Sequence, residues 1–145
     1  MMGRIKLEIP ANIIDTINIA VRITDINYGN HLGNDSLVSI IHEARVQWLK
    51  KHHYTELDVA GAGLIMSDLV VEYVNESFYG DVLNIKIAVG EISRVSFELF
   101  YLVETKRGDS NIIIAKVKTG MICYDYTNKK VMSVPGELKN ILQVL

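Results

Sequence analysis

The sequence predicts an α+β fold, with one long helix packed on one face of a mostly antiparallel sheet. Three observations predict it. A single strong helical periodicity lies between Asp35 and about His52. One alternating, Ile/Val-rich segment precedes it, and four strand-like segments follow it. No low-complexity tract, linker-like run or internal repeat interrupts this order. The 145 residues are expected to form one domain, 1–145, long enough to bury a substantial core.

The elements can be justified in turn. Between Ile13 and Ile23, the residues Ile17, Ile19, Val21 and Ile23 alternate with other residues, as a half-buried strand requires. A polar, glycine-bearing loop follows from Asp25 to Asn34. In the helix, Leu37, Ile40, Ile41, Ala44 and Trp48 recur at steps of three and four and form one apolar stripe. Asn34 or Asp35 is expected to cap it, since either side chain can accept a bond from a first-turn N–H. Strands are expected at Leu64–Asn75, Val82–Ile92, Ser96–Thr105 and Ile112–Tyr124. Turns are expected at Tyr79-Gly80-Asp81, Arg107-Gly108-Asp109 and Thr127-Asn128, and a short helix after Pro135.

Composition narrows the functional classes. Net charge is −2 and no basic run occurs, which argues against nucleic acid as a partner. The densest basic spot, Lys50-Lys51-His52-His53, falls at the end of the helix, where cations complement the dipole. A single cysteine, Cys123, rules out an intrachain disulfide and is expected to be a small core residue. His42, His52 and His53 lack metal-ligand spacing, so no metal is expected. The apolar stretches are too short to span a bilayer, and the first ten residues mix charges with isolated apolar residues. No membrane association is expected, and a cytoplasmic location is.

The stretch Arg22-Ile23-Thr24-Asp25-Ile26-Asn27-Tyr28-Gly29-Asn30-His31-Leu32-Gly33-Asn34 resembles the loop that leads into the helix of hot-dog acyl thioesterases, where Asp25, His31, Leu32 and Asn34 match in register. Further along, Glu43-Ala44-Arg45, Ser77-Phe78-Tyr79-Gly80-Asp81, Ser93-Arg94-Val95-Ser96-Phe97, Cys123-Tyr124-Asp125 and Val134-Pro135 resemble family segments in the same order. The resemblance covers nearly the whole chain. It implies a curved antiparallel sheet of about five strands wrapped around one central helix. It also implies acyl-CoA or acyl-carrier-protein thioester hydrolysis without a cofactor, and a homodimer, or beyond that a homotetramer, whose site combines the loop of one chain with the helix of the other.

One departure bears on mechanism. The second aspartate of the family loop is often the catalytic carboxylate, and here that position is Asn27. An amide cannot serve as a base or carboxylate nucleophile. Thioester hydrolysis needs a base and donors aimed at the carbonyl oxygen. The loop runs into a helix start, whose N–H groups supply donors, and Gly29 and Gly33 are expected to allow positive φ and close approach of a ligand. His31 is the loop's best titrating side chain. The remaining carboxylates are Asp25, Asp68 and Glu43, and Glu43 falls on the helix away from the apolar stripe. The expected catalytic set is Glu43 as base or nucleophile, His31 as donor or orienting group, Asn27 positioning water or substrate, and Asp25. Tyr28, Gly29, Asn30, Leu32, Gly33 and Asn34 are the expected substrate-binding residues. Three functions stay open: a thioesterase, a dehydratase of the same fold, and a non-catalytic acyl-thioester-binding protein.

Overall fold

The computed structural model describes residues 3–143. Strand β1 (Ile13–Ala20) leads through a 3-10 turn (Ile23–Asp25) and the loop into helix α1 (Asn34–Lys51). Strands β2 (Gly63–Tyr73), β3 (Val82–Ile92), β4 (Ser96–Arg107), β5 (Ser110–Asp125) and β6 (Lys130–Val131) follow, and helix α2 (Gly136–Ile141) comes last. All strand pairs are antiparallel, in the order β1-β3-β4-β5-β2, with the two-residue β6 beside the end of β5. This is the six-stranded form of the expected sheet and helix.

Period-2 patterning explains the sheet's inner face. Leu83, Ile85, Ile87 and Val89 of β3 are buried, as are Phe97, Leu99, Tyr101 and Val103 of β4 and Ala115, Val117, Met121 and Cys123 of β5. On α1 the whole apolar stripe is buried: Leu37, Ile40, Ile41, Ala44 and Trp48. Helix and sheet close over one hydrophobic cluster. Trp48 sits at its centre, edge-on to His52 at 6.2 Å, and its Nε1 is the one buried side-chain polar atom among the described residues without a hydrogen-bond partner. Burial pushes the Cys123 thiol up to about 11, so it packs as an inert core residue.

Several boundaries differ from the sequence reading. The first strand stops at Ala20 rather than Ile23, because Val21 turns to bond Asp81 and Arg22 closes onto Asp25. Neither Asn34 nor Asp35 caps α1: Gly33 occupies the cap position, and Asn34 is the first helical residue. The strands β4 and β5 run on to meet at Gly108, which takes φ 63° in the turn. At β2 a bulge at Ser67 breaks the register, and the Asp68 carboxylate accepts the Gly120 N–H there at 2.8 Å. Lys118 also holds Asp68, so this acid serves the outer face of the sheet.

Candidate active site

The loop before α1 is built on two side chains. Asp25 is buried, with one oxygen accepting the Arg22 N–H at 2.8 Å and the Arg22 guanidinium spanning both oxygens. Burial alone would raise the Asp25 carboxyl, but the hydrogen bonds and charge of Arg22 outweigh it and hold the group below the usual carboxylate range. A depressed carboxylate stabilises the fold above its unfolded pKa of roughly 3.9, and that stabilisation fades as pH falls through the lower folded value. Asp25→Asn should therefore lower stability most at neutral pH. In urea melts, its deficit against the parent should shrink below about pH 4. An equal deficit at pH 7 and pH 3 would show that the charge is not what matters.

The second organising side chain is Asn27. Its Oδ1 accepts the N–H of Gly29 at 2.9 Å and that of His31 at 3.3 Å, while Asn27 N–H donates to His31 O at 2.8 Å. This Asx turn folds the loop back on itself and presents the His31 ring. The positive φ in the turn belongs to Asn30, at 67°, and to neither glycine, which corrects the expected role of Gly29 and Gly33. At Gly33 a Cβ would meet the end of the exposed Asp35 side chain at 2.7 Å, which can swing aside, and otherwise only ordinary contacts.

Beside this turn, at the start of α1, lies a cavity of about 290 Å³. Asn27, His31, Leu32 and Asn34 from the loop line it, together with the end of β2 and the following segment through Ser77. With glycine at the cap, no side chain covers the first-turn N–H groups of α1. Those donors and the positive end of the helix dipole sit where the cavity meets Asn34. His31 is the only imidazole among the lining residues, and Glu76 the only carboxylate. Their atoms Nε2 and Oε2 are 3.5 Å apart. Phe78 meets the His31 ring edge-on at 6.0 Å, and the Arg107 guanidinium lies 4.9 Å from the other ring's centre, that of Phe78.

The other expected site residues lie elsewhere. Tyr28 is fully exposed and does not line the cavity. Gly29 and Asn30 shape the turn rather than the wall. Glu43 is solvent-exposed on the outer side of α1, where it accepts a hydrogen bond from Gln47 at 2.7 Å, and it borders a separate groove with Lys50 and Lys51. Glu76 was not foreseen. Its only sequence signal is its place directly before the Ser77–Asp81 turn that resembles the family. No group of three or more His, Cys, Asp or Glu side chains able to hold a metal occurs among the described residues.

Solved structures share this architecture. A hypothetical protein of Aquifex aeolicus superposes with TM-score 0.77 at 22% identity, covering 89% of this chain and 99% of that one. A 1,4-dihydroxy-2-naphthoyl-CoA thioesterase from Synechocystis gives TM-score 0.75 at 18% identity, covering 88% and 93%. A 4-hydroxybenzoyl-CoA thioesterase variant, solved with 4-hydroxybenzoyl-CoA, gives TM-score 0.78 at 16% identity, covering 89% and 98%. At these identities the likeness speaks to the fold, which is the hot-dog fold. The sequence itself matches the model of the thioesterase-like superfamily over residues 21–142. That match spans the loop, α1, strands β2 to β6 and α2, and the chain therefore belongs to the thioesterase-like superfamily.

Proposed function

We propose that this protein hydrolyses acyl thioesters of coenzyme A or an acyl-carrier protein to the free acid and the thiol. The observation that carries the proposal is the convergence of His31, the Asn27 amide and the uncapped start of α1 on one cavity. A thioester carbonyl placed there would have donors for the charge that develops on its oxygen, from Asn27 Nδ2 and the first-turn amides. A titrating imidazole would stand beside it. Membership of the superfamily and the thioesterase names of two structural neighbours support the reaction class.

Glu43 faces away from this cavity in its own chain, so it can act on a bound thioester only across a subunit boundary. A homodimer is part of the proposal. Strand β2 lies at the edge of the sheet with Met66 exposed on it; Arg4 and Leu7 hold its Glu72–Tyr73 end, and the rest of that edge is a template for a second strand. No helix among the described residues is long and apolar enough to cross a membrane.

The test is release of free thiol from acetyl-, hexanoyl-, palmitoyl- and benzoyl-CoA. At least one should give saturable turnover, within the common enzymatic range of roughly 1–1000 per second. Binding of these thioesters without thiol release would favour the non-catalytic reading. Reversible hydration of an enoyl-CoA without thiol release would favour the dehydratase.

A further inference from the structure

We propose that Glu76 is the positioning acid of the site, holding His31 in the tautomer that leaves Nδ1 free to accept a proton. The proposal rests on the thioesterase reading. It starts from a deficit in the loop: Asn27 stands where the family carries a carboxylate, and Asp25 is spent on Arg22. The cavity nevertheless contains one acid, Glu76, and it faces the one imidazole, with Oε2 3.5 Å from His31 Nε2. Contacts between catalytic groups commonly tighten when substrate binds.

Both partners are fixed at the backbone. The Leu32 N–H, next to His31, donates to Ser77 O, next to Glu76, at 2.8 Å. The turn that carries Glu76 is locked by Asp81, whose Oδ2 accepts from the Ser77 hydroxyl, the Phe78 N–H and Arg107 Nη2 at 2.8–2.9 Å. Arg107 Nη2 also donates to the Glu76 carbonyl at 2.8 Å. Burial would raise the Asp81 carboxyl, but these donors and the Arg107 charge hold it low, so the clamp is ionised at neutral pH. Loop and turn thus form one unit, and the spacing of His31 and Glu76 is set by bonds that neither side chain makes.

The opposite edge of the ring is open by sequence. The residue beside it is Gly29, where a Cβ would come 3.4 Å from His31 Cε1 and 3.6 Å from Nδ1. No side chain from position 29 closes that edge. When the Glu76 carboxylate accepts the Nε2–H, the lone pair resides on Nδ1. In the hydrolytic step Nδ1 takes a proton from water, and the water oxygen bonds to the thioester carbon. The tetrahedral species then collapses with cleavage of the C–S bond. The sulfur takes the proton from Nδ1, which gives acid and thiol and restores neutral His31. Glu76 stays beside Nε2 throughout and stabilises the transient imidazolium.

Two variants separate orientation from charge. Glu76→Leu loses both acceptor and charge, whereas Glu76→Gln keeps an acceptor. With the acyl-CoA that shows the fastest thiol release, kcat should fall roughly a hundredfold in Glu76→Leu and about tenfold in Glu76→Gln, with KM within about twofold. An unchanged kcat in Glu76→Leu would overturn the proposal. The second readout needs no activity. Long-range ¹H–¹⁵N spectra of the full-length protein should show His31 as the Nε2–H tautomer in the parent, and a tautomer mixture in Glu76→Leu. Unmoved His31 nitrogens would overturn the pairing. If no acyl-CoA is hydrolysed, the thioesterase reading fails by itself, while the nitrogen shifts still decide whether Glu76 holds His31.

Discussion

Asn27→Asp should fold like the parent yet hydrolyse acyl-CoA at least about a hundredfold more slowly, the usual cost of losing one donor to a developing oxyanion. The structure makes this substitution unusually clean. The two hydrogen bonds that Asn27 Oδ1 accepts, from Gly29 and His31, can be accepted equally well by a carboxylate oxygen. The Asx turn should survive, and thermal melts of the two proteins should agree to within a few degrees. The other end of the side chain is what changes. Asn27 Nδ2 makes no hydrogen bond to the described residues, and Asn27 lines the cavity. An amide there donates, whereas a carboxylate cannot, and its charge would oppose the charge forming on the carbonyl oxygen. It would also stand beside Glu76 and His31, adding a second negative group to a cavity that holds one. Unchanged KM with reduced kcat is the expected split, because the donor matters most in the transition state. A rate increase would mean that the cavity is arranged for a loop carboxylate, and that the amide contributes no donor.

The same residue shows how far the sequence could be read. The helix stripe from Leu37 to Trp48 and the alternation along β3, β4 and β5 were legible, because burial on one face imposes a period that side chains must obey. The loop was legible as a unit because it abuts that helix. What escaped depends on contacts distant in sequence or on short elements. β6 has two residues, too few to carry a period. The cap of α1 is a glycine, so no side-chain signal marks it, and Asn34 belongs to the cavity wall instead. Glu76 approaches His31 only because β2 returns along the sheet and Leu32 bonds Ser77. Nothing in either local segment announces that meeting. Arg45 is the sharpest case: composition places a helix arginine on the surface, and this one is 5% exposed.

Arg45 leads to the largest expected effect on stability. Its Nε donates to Glu56 Oε2 at 2.7 Å and its Nη1 to the Tyr101 hydroxyl at 3.1 Å, and that hydroxyl lies 2.8 Å from Thr119 Oγ1. His42 meets the other oxygen of Glu56. The network pins the middle of α1 to β4 and β5 through the core. Burial opposes the Arg45 charge, yet Tyr101 and Glu56 outweigh that and raise the guanidinium pKa, so the group stays charged inside the protein. Removing the counter-charge leaves a buried cation without compensation, which typically costs about 3–5 kcal/mol. Glu56 retains some exposure, so water relieves part of the loss, and about 3 kcal/mol is the expected deficit for Glu56→Ala in urea melts. The double variant Arg45→Met with Glu56→Leu should recover most of it, because the isolated charge is then gone and apolar groups fill its place. If Glu56→Ala lost less than about 1 kcal/mol, the ion pair would be behaving as a surface pair. The consequence reaches the site, because the start of α1, with its uncapped amides, borders the cavity at Asn34. Thiol release in the folded Glu56→Ala protein, measured well below its melting temperature, should therefore fall with kcat, as a loosened helix aims those donors less well. The double variant, with α1 again packed against the sheet, should regain that rate together with its stability.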